Sequence, residues 1–148
     1  LTTRVSSISY FLSKKALALG ELPISAIIVD PVNKKVISAC INQSKKNLIL
    51  HAEINAINAS CKAINNYRLV NCDLYVTLEP CHMCAKAIID ARIDEVVFAT
   101  CEPKSGSLVS IDNFFERITL NHKVRFQTGL LEKESSDILK SFFKERRG

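Results

Sequence analysis

The chain has 148 residues, 47% of them hydrophobic, with 20 Lys and Arg against 15 Asp and Glu for a formal charge of +5. That length suits a single domain over residues 1–148 with a core of its own. No apolar run reaches the 18 or so residues of a membrane span, and the modest basic excess permits a polyanionic partner without requiring one.

Six cysteines occur, Cys40, Cys61, Cys72, Cys81, Cys84 and Cys101. An even count can mark disulfides, but this is no short, core-poor secreted chain and no secretory apolar stretch opens it. Two cysteines sit in a CxxC and the other four lie in apolar segments, where a reduced thiol behaves as a small hydrophobe. A reducing, cytoplasmic setting is expected. The first 20 residues carry Arg4, Lys14, Lys15 and several serines but no acid. That composition can suit an organelle transit segment, and an amphipathic first helix is the preferred reading. The chain opens on Leu1 rather than Met, which allows for residues ahead of it.

In chain order, Ile8, Phe11, Leu12, Ala16 and Leu19 recur at helical spacing and predict a helix over about 6–19, stopped by Gly20. Branched residues over 24–29 predict a buried strand, the Asp30-Pro31-Val32-Asn33-Lys34-Lys35 stretch a turn, and residues 36–41 a second strand closing an antiparallel hairpin. From His51 to about Ile64, Ile54, Ile57 and Cys61 share a helical face, with Ala56, Ala59 and Ala63 allowing close packing. A strand is expected over 73–78, a helix over about 81–91, and a strand over about 94–100 whose helical crossover implies parallel pairing. Residues 101–110 read as a loop and 123–128 as a last strand. After Gly129, Leu131, Glu134, Ile138 and Phe142 outline a closing helix with a basic end. This order describes an α/β layer sandwich.

Two pieces carry chemistry, His51-Ala52-Glu53 and Pro80-Cys81-His82-Met83-Cys84. An imidazole and two thiolates supply three zinc ligands and leave a fourth position for water, the mark of a catalytic rather than a structural site. Pro80 suits the first helical position, and Cys81 and Cys84 at i and i+3 then share one face of the first turn. The positive helix end favours their thiolates. Zinc lowers the pKa of its water toward ~7. Glu53 is placed to take a proton from that water, pass it to a ring nitrogen and later protonate departing ammonia.

Each piece alone is weak. A lone CxxC after a strand also fits a redox motif, a structural zinc would want a second ligand pair, and His82 points to a different side of its helix from the two cysteines. Together, HxE followed by PCxxC is the signature of zinc nucleobase deaminases.

On these residues the chain resembles the bacterial tRNA-specific adenosine deaminases, which convert the wobble adenosine of an anticodon to inosine. The resemblance runs from Glu21-Leu22-Pro23-Ile24 through His51-Ala52-Glu53-Ile54-Asn55-Ala56-Ile57 and Thr77-Leu78-Glu79-Pro80-Cys81-His82-Met83-Cys84-Ala85. It continues in Lys104-Ser105-Gly106-Ser107, Asn121-His122-Lys123-Val124 and Phe142-Phe143-Lys144-Glu145-Arg146-Arg147. It implies a three-layer αβα sandwich of the cytidine deaminase type around a mixed five-stranded sheet. One Zn2+ per subunit would be held by His51, Cys81 and Cys84, with Glu53 as the proton shuttle. Asn42 and Ala52 would meet the base, and Glu102, Lys104, His122, Phe143, Arg146 and Arg147 the tRNA anticodon stem-loop, on a cytoplasmic homodimer. Two departures stand out: the loop between Asn42 and His51 is shorter than is usual, with Leu48-Ile49-Leu50 leading into the histidine, and Glu102 stands where the family often has aspartate. Relatives acting on free cytidine, deoxycytidylate or guanine share the two metal motifs, and an RNA-binding module without catalysis is the reading from another class.

Overall fold

The computed structural model describes residues 2–117 and 119–147, the side chain of Arg147 excepted. Helix α1 (Thr2–Ala18) precedes strands β1 (Ser25–Asp30) and β2 (Lys35–Ile41), then α2 (Ala52–Ile64), β3 (Asp73–Leu78), α3 (His82–Asp90), β4 (Glu95–Thr100), β5 (Arg125–Thr128) and α4 (Glu132–Arg147). The five strands form one sheet in the order β2-β1-β3-β4-β5. β1 runs antiparallel to β2 and to β3, while β3, β4 and β5 run parallel to one another. The mixed five-stranded αβα sandwich is as expected.

Successive side chains of a strand face opposite ways, and both faces of this sheet are covered. Ala26, Ile28, Leu74, Val76, Val96 and Phe98 pack with Ala52 and Ala56 of α2 and with Ala85, Ile88 and Ile89 of α3. The residues between them, Ile27, Val29, Tyr75 and Val97, pack with Val5 and Leu12 of α1. This two-sided burial is why the central strands read as continuous apolar runs rather than alternating ones.

Two helical faces differ from expectation. On α1, Val5, Ser9, Ser13 and Ala16 are buried, while Phe11 and Leu19 are 56% and 70% exposed. Serines can line this interface because they are small and their hydroxyls are satisfied: Ser9 Oγ lies 2.9 Å from Ser25 Oγ, and Ser13 Oγ donates to the Tyr10 carbonyl at 2.6 Å. On α2 the buried stripe is Ala52, Glu53, Ala56 and Ser60, with Ile57 and Cys61 flanking it. Small residues let the helix lie close to the sheet. Gly20 follows α1 at φ 78° and Asn65 caps α2 at φ 55°, both in the left-handed region that ends helices.

The carboxyl ends of parallel strands in such sheets are where ligands bind. Here β3 runs directly into α3, and β4 into the loop 101–110.

Candidate active site

The two chemical motifs occupy equivalent places: His51 is the N-cap residue of α2 (φ −66°, ψ 154°) and Cys81 the N-cap residue of α3 (φ −77°, ψ 177°). Neither side chain makes the usual cap hydrogen bond; each points to a common centre instead. Pro80 therefore precedes the N-cap rather than filling the first helical position, which His82 takes. Cys81 and Cys84 keep their i, i+3 relation across the first turn.

His51 Nδ1 lies 3.7 Å from Cys81 Sγ and 3.5 Å from Cys84 Sγ. The three ligand atoms all fall within 4.8 Å of one another, a group that could hold a metal ion. Cys84 is fully buried beneath the site, whereas His51 and Cys81 face a cavity.

The electrostatics of this cluster are those of ligands sharing too few protons. A hydrogen bond from the Cys84 thiol, with a further contribution from His51, outweighs burial and holds Cys81 at about 4. Cys84, which gives that hydrogen bond, is also buried and faces Glu53, so it stays well above the ordinary thiol range. His51 is raised by its hydrogen bond to Cys81, against burial. A cation would favour both thiolates and replace the shared proton. Glu53, 5% exposed, is pushed up to about 7, chiefly by burial.

The cavity holds about 160 Å³, smaller than the ~300 Å³ and more of drug-sized pockets and suited to a small ring. Leu22, Ile24, Leu78, Leu139 and Phe143 form its apolar walls, and Asn42, His51, Glu53, Glu79, Cys81, Glu102 and Ser105 supply its polar groups. Elements from across the chain thus converge on one concavity, including the closing helix through Leu139 and Phe143.

The expected site residues divide accordingly. Asn42, His51, Glu53, Cys81, Glu102 and Phe143 line the cavity; Asn42 is 2% exposed and donates from Nδ2 to Ser44 Oγ at 2.7 Å. Glu102 turns its carboxylate back to accept from the Lys104 N–H at 3.0 Å. Ala52 is wholly buried in the core. His122 stands off the cavity, its Nε2 donating to the Ile93 carbonyl at 2.8 Å. Lys104 is exposed, and Arg146 donates from Nη2 to the Gly20 carbonyl at 2.9 Å. The side chain of Arg147 lies outside the described residues. Residue-type reasoning assigned no role to Glu79, although it sits inside the quoted Thr77-Leu78-Glu79-Pro80-Cys81 stretch; its partners come from a loop that the motif does not contain.

Known proteins bear on this arrangement. The family profile described as MafB19-like deaminase matches residues 3–147. The tRNA-specific adenosine deaminase of Haemophilus influenzae is 43% identical over 138 residues, covering 92% of this chain and 79% of the relative. The chain belongs to the tRNA-specific adenosine deaminase family. A second member, from Aquifex aeolicus, is 41% identical over 91% of this chain and 89% of its own length. A solved tRNA:A34 deaminase, studied for A-to-I editing at the wobble position of transfer RNA, superposes with a TM-score of 0.85 at 37% identity. That match covers 90% of this chain and 96% of the other. The guanine deaminase of Nitrosomonas europaea shares the deaminase fold at a TM-score of 0.76 and 19% identity, over 93% of this chain and 81% of that one.

Proposed function

We propose that this chain is one zinc-dependent deaminase domain that converts the wobble adenosine of a tRNA anticodon to inosine. The observation that carries the reading is the His51, Cys81 and Cys84 group with buried Glu53 beside it, at the floor of a ring-sized cavity in a chain of this family.

Zinc fits the donors. Tetrahedral bonds of about 2.0 Å to nitrogen and 2.3 Å to sulfur put those atoms ~3.5 Å apart, and the nitrogen–sulfur separations here are 3.5 and 3.7 Å. One imidazole and two thiolates also leave a ligand position free for catalysis. When bound, zinc supplies Lewis-acid activation of a water molecule.

The remaining chemistry falls to the chain. Glu53 takes one proton of the attacking water to the ring nitrogen next to C6, then carries the remaining hydroxyl proton to the amine, so that the C6–N bond breaks, ammonia leaves and a carbonyl forms at C6. Burial keeps this carboxyl near a proton-exchanging range rather than permanently ionised. Asn42 hydrogen-bonds the base edge, and the buried first turn at Ala52 fixes where the base stops. Phe143, 42% exposed at the rim, offers a stacking face for an anticodon base. Lys104, Arg146 and Arg147 meet phosphates in a salt-dependent way, with Glu102 and His122 as further RNA contacts. An unpaired anticodon base spares much of the unstacking cost that a duplex would impose.

The family's homodimer and a cytoplasmic setting complete the reading. Exposed Met83, Val109 and Ile111, at 38%, 51% and 51%, support a self-association surface beside the site. No described helix is long and apolar enough to cross a membrane.

The test is to supply the zinc-loaded protein with tRNA carrying adenosine 34 and, in parallel, with free adenosine, guanine and deoxycytidylate. Inosine at position 34 with little turnover of the small molecules is expected. Brisk deamination of a small molecule with intact tRNA would overturn the choice of substrate.

A further inference from the structure

Glu79 directly follows β3 and is 3% exposed, and nothing in the proton-transfer chemistry uses it. Its carboxylate is nevertheless saturated with donors. Oε1 accepts from the Glu102 N–H at 3.0 Å and from the Ser110 hydroxyl. Oε2 accepts from three consecutive N–H groups, Leu108 at 3.0 Å, Val109 at 2.7 Å and Ser110 at 3.0 Å. Successive amides converging on one oxygen form the concave anion seat that backbone turns build for phosphates, here filled by a side chain of the same protein. Hydrogen bonds to an ionised acceptor are roughly twice as strong as neutral ones.

The clamped segment is the loop that follows β4. It carries Glu102 and Ser105, both on the cavity wall, with Lys104 between them. One further contact ties it to the metal motif, the Ser107 N–H donating to the Pro80 carbonyl at 2.9 Å, and another closes the loop on itself, the Gly106 N–H donating to the Glu102 carbonyl at 2.8 Å. Gly106 lies so close that a Cβ added there would sit 2.3 Å from Glu79 Cδ and 2.7 Å from the Glu102 carbonyl oxygen. The loop is therefore drawn onto the carboxylate as tightly as the absence of a side chain permits.

We propose that Glu79 is a positioning residue for the RNA substrate: by gathering the N–H groups of Glu102, Leu108, Val109 and Ser110 it fixes residues 102–110 as the wall that receives the anticodon loop. The inference rests on the deaminase reading above. Glu79→Gln replaces one acceptor by a donor facing N–H groups, and Gly106→Ala pushes the same loop outward while leaving the carboxylate intact. The two changes reach one loop by independent routes.

The experiment compares zinc-loaded wild type, Glu79→Gln and Gly106→Ala in steady-state deamination of an A34 anticodon stem-loop, together with RNA binding and amide hydrogen exchange. Both variants are expected to raise KM and the RNA Kd about tenfold while kcat changes less than about threefold. Exchange should quicken at residues 102 and 108–110 and stay unchanged across α2. An unchanged KM and Kd despite quickened loop exchange overturns the proposal, as does a fall in kcat with KM unmoved. If Glu79→Gln fails to fold or to hold zinc, Gly106→Ala decides by the same criteria. A wild type that makes no inosine from any A34 RNA would overturn the deaminase reading instead; the loop's part in RNA binding is then judged by Kd, where no weakening in either variant overturns it.

Discussion

Glu53 and Glu79 lie on the walls of one cavity at 5% and 3% exposure, yet their carboxyls are displaced in opposite directions. For Glu53, burial dominates and pushes the group up to about 7. For Glu79, burial acts the same way, but the Ser110 hydroxyl and the N–H groups of Ser110, Val109 and Glu102 outweigh it and hold the carboxyl below its ordinary range. Desolvation raises both, more completely for Glu53, and the supply of donors is far larger at Glu79. A buried carboxylate with only its own N–H and the Cys84 thiol as donors can exchange protons, and one that gathers five donors can hold a loop. By where it lets backbone N–H groups point, one fold displaces two buried glutamates in opposite directions.

The largest effect that bears on this contrast comes from the metal group. Cys84→Ala should abolish stoichiometric zinc and cut deamination by about a thousandfold or more, several kcal/mol of lost activation, measured by metal analysis alongside inosine formation. Zinc retention at full activity would mean that Glu53 faces some other centre.

Next in size is a pair of opposite pH dependences in the metal-free protein, read by denaturant unfolding between pH 4 and 8. Glu53 has a folded value above its ordinary 4.5, so the folded state binds the extra proton and loses stability as pH rises from about 4.5 to about 7. Glu53→Gln should therefore gain on wild type across that window, by about 3 kcal/mol at most, since each pH unit is worth about 1.4 kcal/mol. Glu79 has a depressed value, so its contribution is present above 4.5 and fades as pH falls through the folded value. Glu79→Gln should cost on the order of 2–3 kcal/mol near neutrality, the cost of unsatisfied buried donors, and less in acid. Parallel curves for the two variants would break the comparison.

At the rim, Arg146→Ala should weaken stem-loop binding by about tenfold and flatten its salt dependence by roughly 0.7 in log–log slope, as for one phosphate contact to single-stranded RNA. Equal salt slopes would remove this arginine from the RNA interface. The smallest effect lies at the other end of β3. Asp73 is raised to about 6 by burial, then by Glu95 and Asp94, against Arg125. Asp73→Asn should stabilise the protein slightly at pH 8 and not at pH 4, by less than about 1 kcal/mol for a half-buried group screened by solvent. In this third acid neighbouring carboxylates add to burial, and no hydrogen-bond donor opposes them.

The metal motif was legible because it is local: one HxE and one PCxxC, each at a helix start, needed only a strand–helix alternation to meet. The strands were legible for a similar reason, since two-sided burial leaves unbroken apolar runs. The face of α1 was not, because hydrophobicity favoured Phe11 and Leu19 while the helix buries Ser9 and Ser13; the Ser9 hydroxyl finds its partner in Ser25 of β1 and that of Ser13 in the Tyr10 carbonyl of its own helix. Glu79 was hidden for a related reason. Its partners lie 23 to 31 residues away in a loop, and backbone N–H groups leave no mark in a sequence. Gly106 was the one residue type there that pointed to a close approach.

The most direct test of the division of labour is single-turnover deamination of an A34 stem-loop at saturating RNA, with zinc occupancy matched, by wild type, Glu53→Gln and Glu79→Gln. The account predicts a rate about a thousandfold lower for Glu53→Gln, within the usual range for general acid–base groups, and a near wild-type rate for Glu79→Gln. A Glu53→Gln protein that makes inosine at the wild-type rate would contradict it.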